Sequence, residues 1–165
     1  MRVTGGSLKG KRLKLPQGSS ARPTSALVRG AIFSILEPYG LEGSRVLDLY
    51  AGSGALGIEA LSRGAAWADF VERDRRQCTI IKENLAQAGL MERTKVYCMP
   101  VEKALPILQG PYDFILMDPP YSLTSLAPVF QALAKGPLLS PRALVVVEHS
   151  KRTALVGVPE DWTLV

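Results

Sequence analysis

Residues 45–57 read RVLDLYAGSGALG, and this stretch decides the fold. Its first half is almost wholly apolar and has the length of a buried β-strand, which we predict over residues 45–50. Gly52, Gly54 and Gly57 then fit the pattern G-x-G-x-x-G, in which glycines form the tight turn between a strand and the following helix. The stretch therefore predicts a β-turn-α unit whose turn lets a ligand approach the backbone closely.

Apolar runs of strand length alternate with helical stretches along the rest of the chain. The predicted strands cover residues 45–50, 67–72, 94–99, 112–118 and 143–148, and the predicted helices cover residues 55–63, 75–88, 101–108 and 125–134. Uninterrupted apolar runs at 114–117 and 144–147 are typical of parallel strands that are buried on both faces. This alternation predicts a doubly wound, mostly parallel α/β sheet with helices on both faces, which binds ligands at the carboxyl ends of its strands.

The composition limits the class of protein. The chain has 165 residues, 47% of them hydrophobic and 21% charged, which fits one globular domain. Two cysteines and one histidine exclude a disulfide-dense scaffold, a four-cysteine zinc site and a multi-histidine metal centre. We therefore expect no metal, and we treat Cys78 and Cys98 as small core residues. The sequence has no run of about 18 apolar residues and no apolar leader, so we expect a cytoplasmic protein without a membrane span.

The net charge of +5 is concentrated at the N-terminus. Residues 1–36 hold seven basic side chains and no acid, whereas residues 37–165 hold thirteen basic and fifteen acidic side chains. The first segment therefore carries +7 and the remainder carries −2. A basic arm on a nearly neutral body favours a polyanionic partner, most simply a nucleic acid, although a solvated charged tail has the same composition.

The same N-terminal segment predicts its own small structure. Residues 2–15 alternate loosely between apolar and polar side chains among several glycines, which indicates a hairpin. Thr24 or Ser25 is the expected N-cap of the helix that follows. We therefore divide the chain into a basic arm of residues 1–40, packed on a core of residues 41–165 within a single domain.

Acidic residues stand at or near the carboxyl ends of four predicted strands, namely Asp48, Glu72, Asp118 and Glu148. Each alone is typical of a helix cap or a loop anchor. Four on one rim of one sheet are unusual for a purely structural protein, because a partly buried carboxylate needs a partner. This rim is therefore the expected place for the chemistry.

The glycine turn and Glu72 together predict a nucleoside-type cofactor. Glu72 follows Gly52 by twenty residues, the spacing of an acid that accepts the ribose hydroxyls of NAD. The same contacts suit any adenosine-bearing ligand, so this pattern leaves NAD open, and a tight turn without a ligand is the structural alternative. Asp48, four residues before Gly52, disfavours a pyrophosphate and favours a cationic cofactor such as S-adenosylmethionine (SAM), which carries an ammonium and a sulfonium.

The tetrapeptide Asp118-Pro119-Pro120-Tyr121 follows the fourth predicted strand. Its two prolines lack N–H groups and stiffen the turn, which leaves the Asp118 carboxylate and the proline carbonyls as acceptors. Such acceptors can hold both hydrogens of an exocyclic amine and aim its lone pair at an electrophilic methyl group. Tyr121 offers a flat face for a base that has left its stack. The alternative is a rigid Asp-Pro turn without chemistry.

The combination of three motifs resembles the SAM-dependent methyltransferases that modify exocyclic amines. The motifs are residues 46–54 (VLDLYAGSG), Glu72 and residues 118–121 (DPPY). The N-terminal segment narrows the resemblance to the RsmD family, through residues 5–13 (GGSLKGKRL), Arg22-Pro23-Thr24, Val28-Arg29 and Phe33. That family methylates the exocyclic N2 of a guanine in bacterial 16S ribosomal RNA, a step in the maturation of the small ribosomal subunit.

The resemblance implies a Rossmann-like SAM-dependent methyltransferase fold and a set of site residues. The implied cofactor residues are Asp48, Ala51, Gly52, Ser53, Gly54, Glu72, Arg73, Pro100, Val101 and Asp118. The implied catalytic residues, which would hold the target guanine, are Asp118, Pro119, Pro120 and Tyr121. The implied RNA contacts are Lys9, Lys11, Arg12, Lys14, Arg22, Thr24, Arg29 and Tyr121.

Two features depart from the family pattern. Pro100 stands where a polar Asn or Asp is frequent, which removes a side-chain contact to the adenine amine or leaves it to the backbone. The fold normally finishes with two further strands, of which Trp162–Val165 is long enough only to begin the first. We therefore expect an incomplete sheet edge or a shortened sequence.

The expected partner is 16S rRNA or the 30S particle that contains it, bound by a monomeric protein. Three alternatives remain open. A DNA adenine-N6 methyltransferase shares the DPPY motif, but usually needs a target-recognition region for which 165 residues leave little room. An NAD-binding oxidoreductase shares the glycine turn, and a non-catalytic RNA-binding module would retain the cofactor fold without the reaction.

Overall fold

The computed structural model describes residues 1–17, 24–120, 125–152 and 154–165. Helices and strands alternate through it as predicted. The helices are α1 (Ala26–Leu36), α2 (Ala55–Ser62), α3 (Arg75–Gln87), α4 (Val101–Ala104) and α5 (Ala127–Lys135). The strands are β1 (Arg45–Leu49), β2 (Trp67–Glu72), β3 (Thr94–Cys98), β4 (Tyr112–Met117) and β5 (Leu139–Val147). Short 3₁₀ turns at Glu37–Tyr39 and Met91–Arg93 lie ahead of β1 and β3.

The strands form one parallel sheet in the order β3-β2-β1-β4-β5. The chain winds in one direction from β1 to β3 and returns to the other side of β1 with β4, so the topological switch point lies between β1 and β4. Leu49 on β1 pairs with Met117 on β4, which brings Asp48 and Asp118 to the carboxyl ends of neighbouring strands. The predicted Rossmann-like α/β fold is confirmed.

Two elements differ from their predicted bounds by four residues, whereas the others differ by at most two. Helix α4 ends at Ala104 instead of residue 108, because Pro106 has no N–H with which to continue the helical hydrogen bonds. Strand β5 begins at Leu139 instead of residue 143, since an irregularity in the ladder between Tyr112 and Phe114 lets the pairing with β4 continue. Neither change moves the carboxyl ends of the strands.

Side chains of β1 alternate between two buried layers, which explains why the central strand reads as a nearly continuous apolar run. Val46 is fully buried and packs in the layer of Phe33 and Ile58, from α1 and α2. Leu47 and Leu49 are also fully buried and belong to the layer that includes helix α5. Packing on both faces holds the strand rigidly and therefore fixes the rim where the acidic residues lie.

The N-terminal arm begins with the predicted hairpin. The backbone of Arg2 pairs antiparallel with that of Arg12. The Ser25 hydroxyl accepts a hydrogen bond from the Val28 N–H and caps α1, so Ser25, and not Thr24, is the N-cap.

The C-terminal segment forms no strand within residues 154–165. Trp162 instead packs edge-on against Phe130 of α5, with ring centroids 5.7 Å apart. No strand begins at Trp162–Val165, and among the described strands β5 forms one edge of the sheet, which agrees with the expected incomplete edge. No described helix is long and apolar enough to cross a membrane.

Candidate active site

The turn after β1 has an unusual backbone path. Tyr50, Gly52 and Gly54 have φ angles of 58°, 60° and 84°, in the left-handed region. For Tyr50 this conformation is costly, whereas glycine adopts it freely. The Ala51 N–H donates to Val71 O at 3.0 Å, which ties the turn to β2. The sequence pattern identified the glycines, but it carried no signal for the left-handed Tyr50 that starts the turn.

Gly57 is required for close packing behind the turn. A Cβ atom at Gly57 would lie 2.3 Å from Cε1 of the fully buried Phe70 and 3.2 Å from Asp48 Oδ2. At Gly52, by contrast, the only atom of the described residues within 4 Å of such a Cβ is Gln77 Oε1, at 3.6 Å. The turn is therefore packed tightly on its inner side and open at Gly52, where the sequence analysis places the cofactor.

Glu72 is held in place by backbone donors. Its Oε1 accepts a hydrogen bond from Gly52 N–H at 2.9 Å, and its Oε2 accepts one from Asp74 N–H at 2.8 Å. Each carboxylate oxygen has two lone pairs, so both keep a lone pair for a further donor such as a hydroxyl. The Glu72 carboxylate is therefore held beside the glycine turn, with both oxygens able to accept a further hydrogen bond.

Asp48 is buried under the same turn. Its Oδ2 accepts a hydrogen bond from Gly57 N–H at 2.9 Å. Burial raises the pKa of Asp48 well above its ordinary value, the Gly57 hydrogen bond lowers it, and the charges of Asp118 and Glu72 raise it further. No salt bridge among the described residues involves any of these three carboxylates. A cation placed among them would relieve their mutual repulsion, so this donor set fits a positively charged cofactor.

The remaining predicted cofactor residues lie around this turn and the neighbouring strand ends. Ser53 is buried in the turn and Ala51 is half-buried. Arg73 follows Glu72 and is exposed. Pro100 is the residue before α4, and Val101 is buried in its first turn, directly after the strand that pairs with β2. The structure therefore collects all of them near the carboxyl ends of β1, β2 and β3.

Asp118 lies at the end of β4, on the other side of the switch point. Its Oδ2 lies 2.8 Å from the Thr24 hydroxyl oxygen, and Glu148 Oε2 lies 2.6 Å from that same oxygen. Burial raises the pKa of Asp118 to about 6, although the Thr24 hydrogen bond lowers it and the Glu148 charge raises it. Pro119 is half-buried and Pro120 is exposed. Tyr121 lies outside the described residues.

The basic arm presents most of its predicted RNA contacts to solvent. Lys9, Lys11 and Arg12 are exposed. Lys14 is also exposed, but its Nζ forms an ion pair with Glu83 Oε2 at 3.2 Å. Arg22 lies outside the described residues, so its expected place at the site entrance stays a prediction.

The structure contradicts the expectation that Arg29 contacts RNA. Arg29 is 1% exposed, and its Nη1 donates to Thr24 O at 2.7 Å. Its Nη2 donates to Arg2 O, and its Nε lies 3.6 Å from Glu59 Oε1. Arg29 therefore joins the arm to the core and does not face a phosphate. Thr24 is also buried, and it contacts the acidic pair.

Two residues that fasten the arm were missed. Glu59 on α2 accepts hydrogen bonds from the N–H groups of Thr4 and Gly5, and it forms an ion pair with Arg63 at 2.9 Å. It is the only charged residue in the helix ALGIEALS, and this lone charge was the signal in the sequence. The second residue, Asn84, is equally buried.

Asn84 connects the arm to the glycine turn. Its Oδ1 accepts a hydrogen bond from Lys14 N–H at 2.7 Å, and its Nδ2 donates to Lys14 O and Ser53 O, both at 3.1 Å. One side chain thus links the basic arm to the loop that is expected to hold the cofactor. No local pattern predicts this contact.

Cys78 and Cys98 form a disulfide and are not separate core residues. Cys78 is buried in α3, whereas Cys98 ends β3 and is exposed. Their Cα atoms are 5.9 Å apart, and the Cys78 sulfur lies 3.1 Å from Glu72 O. The bond joins α3 to β3 directly behind Glu72. Among the described residues, no group of three acidic, histidine or cysteine side chains could hold a metal ion.

Comparisons with known proteins agree with this geometry. The family model described as "Conserved hypothetical protein 95" matches residues 1–165. The chain is 34% identical over 166 residues to "Ribosomal RNA small subunit methyltransferase D" of Escherichia coli (strain K12), covering 99% of this chain and 82% of the relative. The protein of the same name from Haemophilus influenzae is 33% identical over 170 residues, covering 99% and 86%.

The fold is also shared with solved structures. The structure of a hypothetical protein from Thermus thermophilus superposes with a TM-score of 0.83 and 36% sequence identity. The match covers 94% of this chain and 90% of the Thermus chain. Both the sheet and the arm therefore belong to an architecture already seen in experimental structures.

Proposed function

The chain belongs to the Conserved hypothetical protein 95 family, the family of ribosomal RNA small subunit methyltransferase D, and from that premise we propose that it methylates the exocyclic N2 of a guanine in 16S rRNA with SAM as the methyl donor. One observation carries the proposal. Asp118 with its two prolines lies across the β1–β4 switch point from Asp48 and Glu72, so the proposed amine acceptor faces the proposed cofactor cradle.

The cofactor cradle supports SAM through the chemistry of its donors. SAM supplies, when bound, a positively charged sulfonium whose methyl group is electrophilic. Glu72 keeps free lone pairs beside Gly52 and would accept the ribose hydroxyls. Asp48 and its acidic neighbours would offset the positive charge of the cofactor. Val101, buried after β3, would contact the adenine.

The Asp118 carboxylate and the proline carbonyls supply acceptors for the target amine. Accepting both hydrogens of the amine would hold the nitrogen in place and turn its lone pair toward the methyl group, so catalysis would come from positioning and electrostatics. After transfer the nitrogen would lose one hydrogen as a proton, which Asp118 would accept. With a pKa of about 6, Asp118 is mostly ionised at neutral pH and serves as an acceptor there.

The arm would supply affinity for RNA. Lys9, Lys11 and Arg12 are exposed on one hairpin and carry positive charge without acidic neighbours in their own segment. Contacts between such side chains and phosphates weaken with salt, so RNA affinity should fall as the salt concentration rises. Substituting Lys9 and Lys11 by alanine should reduce the slope of that dependence by roughly one unit for each phosphate that the arm no longer neutralises.

The proposal is tested by identifying the methylated nucleoside. The protein is incubated with methyl-labelled SAM and, separately, with unmodified 30S particles, naked 16S rRNA and duplex DNA, and the products are digested to nucleosides. We expect N2-methylguanosine from one of the two RNA substrates. N6-methyladenosine from DNA, or no label in any substrate, would contradict the proposal.

A matched variant locates the chemistry. Asp118→Ala should lower the labelling rate about 100- to 1000-fold, because it removes the principal acceptor of the amine. SAM affinity, measured by calorimetry, should change by less than about threefold, because the cradle on β1 and β2 is intact. An equal loss of SAM binding would show that Asp118 serves the cofactor and not the amine.

A further inference from the structure

Helix α3 is a basic element in a core that is otherwise acidic. Residues 73–87 hold four basic and two acidic side chains, although residues 37–165 as a whole carry −2. On α3 itself the basic side chains are Arg75, Arg76 and Lys82, and all three are exposed. We call these three residues the α3 patch. The sequence analysis assigned them no role, because it located the excess positive charge in the arm.

The two acids of this segment already have partners of their own. Asp74 caps α3, and its Oδ1 accepts hydrogen bonds from the Arg76 N–H at 2.8 Å and the Gln77 N–H at 3.3 Å. Glu83 forms the ion pair with Lys14 at 3.2 Å. No salt bridge among the described residues includes a side chain of the α3 patch. The positive charge of the patch is therefore available to an external anion.

The position of the two arginines does not favour the helix. Arg75 and Arg76 are the first two residues of α3, at the end where the helix dipole is positive. Acidic side chains stabilise this end of a helix, and the first turn of α3 has none. Helix stability therefore does not explain the two arginines, which is typical of residues that serve a contact outside their own element.

The arm runs along α3 toward the rim that carries the acidic residues. The backbone of Lys14 forms hydrogen bonds with Asn84 at 2.7 and 3.1 Å, and Gln17 O accepts one from Arg76 Nη2 at 3.1 Å. Asn84 and Arg76 are separated by about 12 Å along the helix axis. Because α3 begins directly after β2, its first turn lies at the carboxyl ends of the strands. The arm and the α3 patch therefore form one basic surface that reaches the rim.

We propose that the α3 patch binds RNA phosphates and extends the RNA-binding surface of the arm across the core to the rim. The inference rests on the proposed function, since it takes RNA as the partner. Arg75 and Lys82 lie on the same face of α3, about 10 Å apart along the helix axis. The Arg76 guanidinium has five N–H donors, so its contact with Gln17 leaves others for a phosphate. Arg76 thus holds the arm and a phosphate at the same time.

The test removes two charges of the patch and leaves the contacts between α3 and the arm intact. The variant is Arg75→Gln with Lys82→Gln, and the arm is held by Arg76 and Asn84 instead. Its affinity for unmodified 30S particles and for naked 16S rRNA is measured from about 50 to 200 mM salt, and the substrate that binds more tightly is followed. The slope of log K against log salt should become shallower by roughly 1.5, because each lost phosphate contact removes about 0.7–0.9. SAM affinity should change by less than about twofold, because the cradle is unaltered.

A matched control removes the same charge from the other side of the core. Lys135→Gln with Arg142→Gln changes two exposed basic residues on α5 and β5, and β5 lies at the opposite end of the sheet from β3. The control should keep the wild-type slope. An equal change of slope in both double variants would show an effect of net charge alone and would overturn the proposal. Thermal unfolding at the same salt concentrations checks that both variants are folded.

Binding and product identity separate this inference from the proposed function. A shallower slope in the α3 variant alone supports the RNA surface even if the methylated nucleoside is not N2-methylguanosine. A wild-type slope in that variant overturns the RNA surface even if N2-methylguanosine is formed. If duplex DNA binds and neither RNA substrate does, the RNA surface and the proposed function are both overturned.

Discussion

The cofactor cradle and the acceptor side of this rim are built in different ways. In the cradle, Asp48 and Glu72 accept hydrogen bonds from backbone N–H groups of nearby residues, Gly57, Gly52 and Asp74. On the acceptor side, Asp118 is held by a side chain from the N-terminal arm, and that side chain is shared with Glu148. The cradle is therefore made by local chain geometry, and the acceptor side by long-range assembly.

This difference indicates which part of the site can be changed by substitution without loss of the rest. Backbone donors in a tight turn cannot be changed without refolding the turn, so the cradle offers one stable geometry. The Thr24 hydroxyl between Asp118 and Glu148 belongs to the arm, so its position depends on how the arm is fastened to the core. Variants that separate cofactor binding from methyl transfer should therefore be found on the acceptor side and in the arm.

The largest effect is expected from Arg29→Met, which tests whether the arm assembles the acceptor side. The substitution breaks a buried ion pair and two hydrogen bonds to carbonyl groups, so the free energy of unfolding should fall by about 3 kcal/mol. Lys14→Met is the matched control, because its ion pair with Glu83 is half-exposed and should contribute less than about 1 kcal/mol. Urea denaturation measures both, and equal losses would show that Arg29 is not a special anchor.

Glu72→Gln should act on the cradle alone. The carboxylate accepts two backbone N–H groups and is the expected acceptor of the ribose hydroxyls, and hydrogen bonds to a charged group contribute about 1.5–3 kcal/mol. SAM affinity measured by calorimetry should therefore fall about 10- to 100-fold, while RNA affinity measured at the same salt concentration stays the same. An equal loss of RNA affinity would show that Glu72 affects RNA binding as well, so that the cofactor cradle and the acceptor side do not act separately.

Gly57→Ala should cost stability because of the close approach of Phe70. The new Cβ would lie 2.3 Å from the Phe70 ring, so the free energy of unfolding should fall by about 1–3 kcal/mol. Gly30→Ala is the control in another helix, since the nearest atom to its Cβ is Thr4 Oγ1 at 3.9 Å. That change should be neutral or should stabilise by up to about 1 kcal/mol. Thermal unfolding that ranks the two variants in reverse would contradict the packing argument.

The smallest effect is a proton released when SAM binds. Burial raises the pKa of Asp48, so the free site favours its neutral form at pH values where an exposed carboxyl is ionised. A positive ligand lowers that pKa again, and the carboxyl gives up its proton to the buffer. Calorimetry at pH 6 in two buffers of different ionisation heat should detect release of a fraction of a proton, reduced in Asp48→Asn. Net proton uptake would have the wrong sign for this mechanism.

The same comparison explains what the sequence could and could not predict. The cradle was predicted because its information is local: a strand, a glycine turn and an acid twenty residues on. The contact of Thr24 with Asp118 and Glu148 spans most of the chain, and no local pattern encodes it. Arg29 was misassigned because a basic residue in a basic arm is typical of a phosphate contact, whereas its buried partner Glu59 lies on another element.

The disulfide was missed for a related reason. Cys78 and Cys98 are predicted on a helix and a strand, and only the pairing of β2 with β3 brings their elements together. The incomplete sheet edge was expected from the family pattern, whereas no local pattern predicted that Trp162 packs on Phe130. Local periodicity thus predicted the elements well, and contacts between distant elements had to come from the structure.

The fastening of the arm has a consequence for transplanting parts between relatives. Thr4 and Gly5 depend on Glu59, Lys14 depends on Asn84, and Thr24 reaches the acceptor side. A chimera that took residues 1–36 from a relative would change the position of the hydroxyl that contacts Asp118. It would also change the groups that form hydrogen bonds with buried Glu59 in α2 and buried Asn84 in α3. The arm and the sheet are therefore one structural unit, and the arm cannot be exchanged without the core residues that receive it.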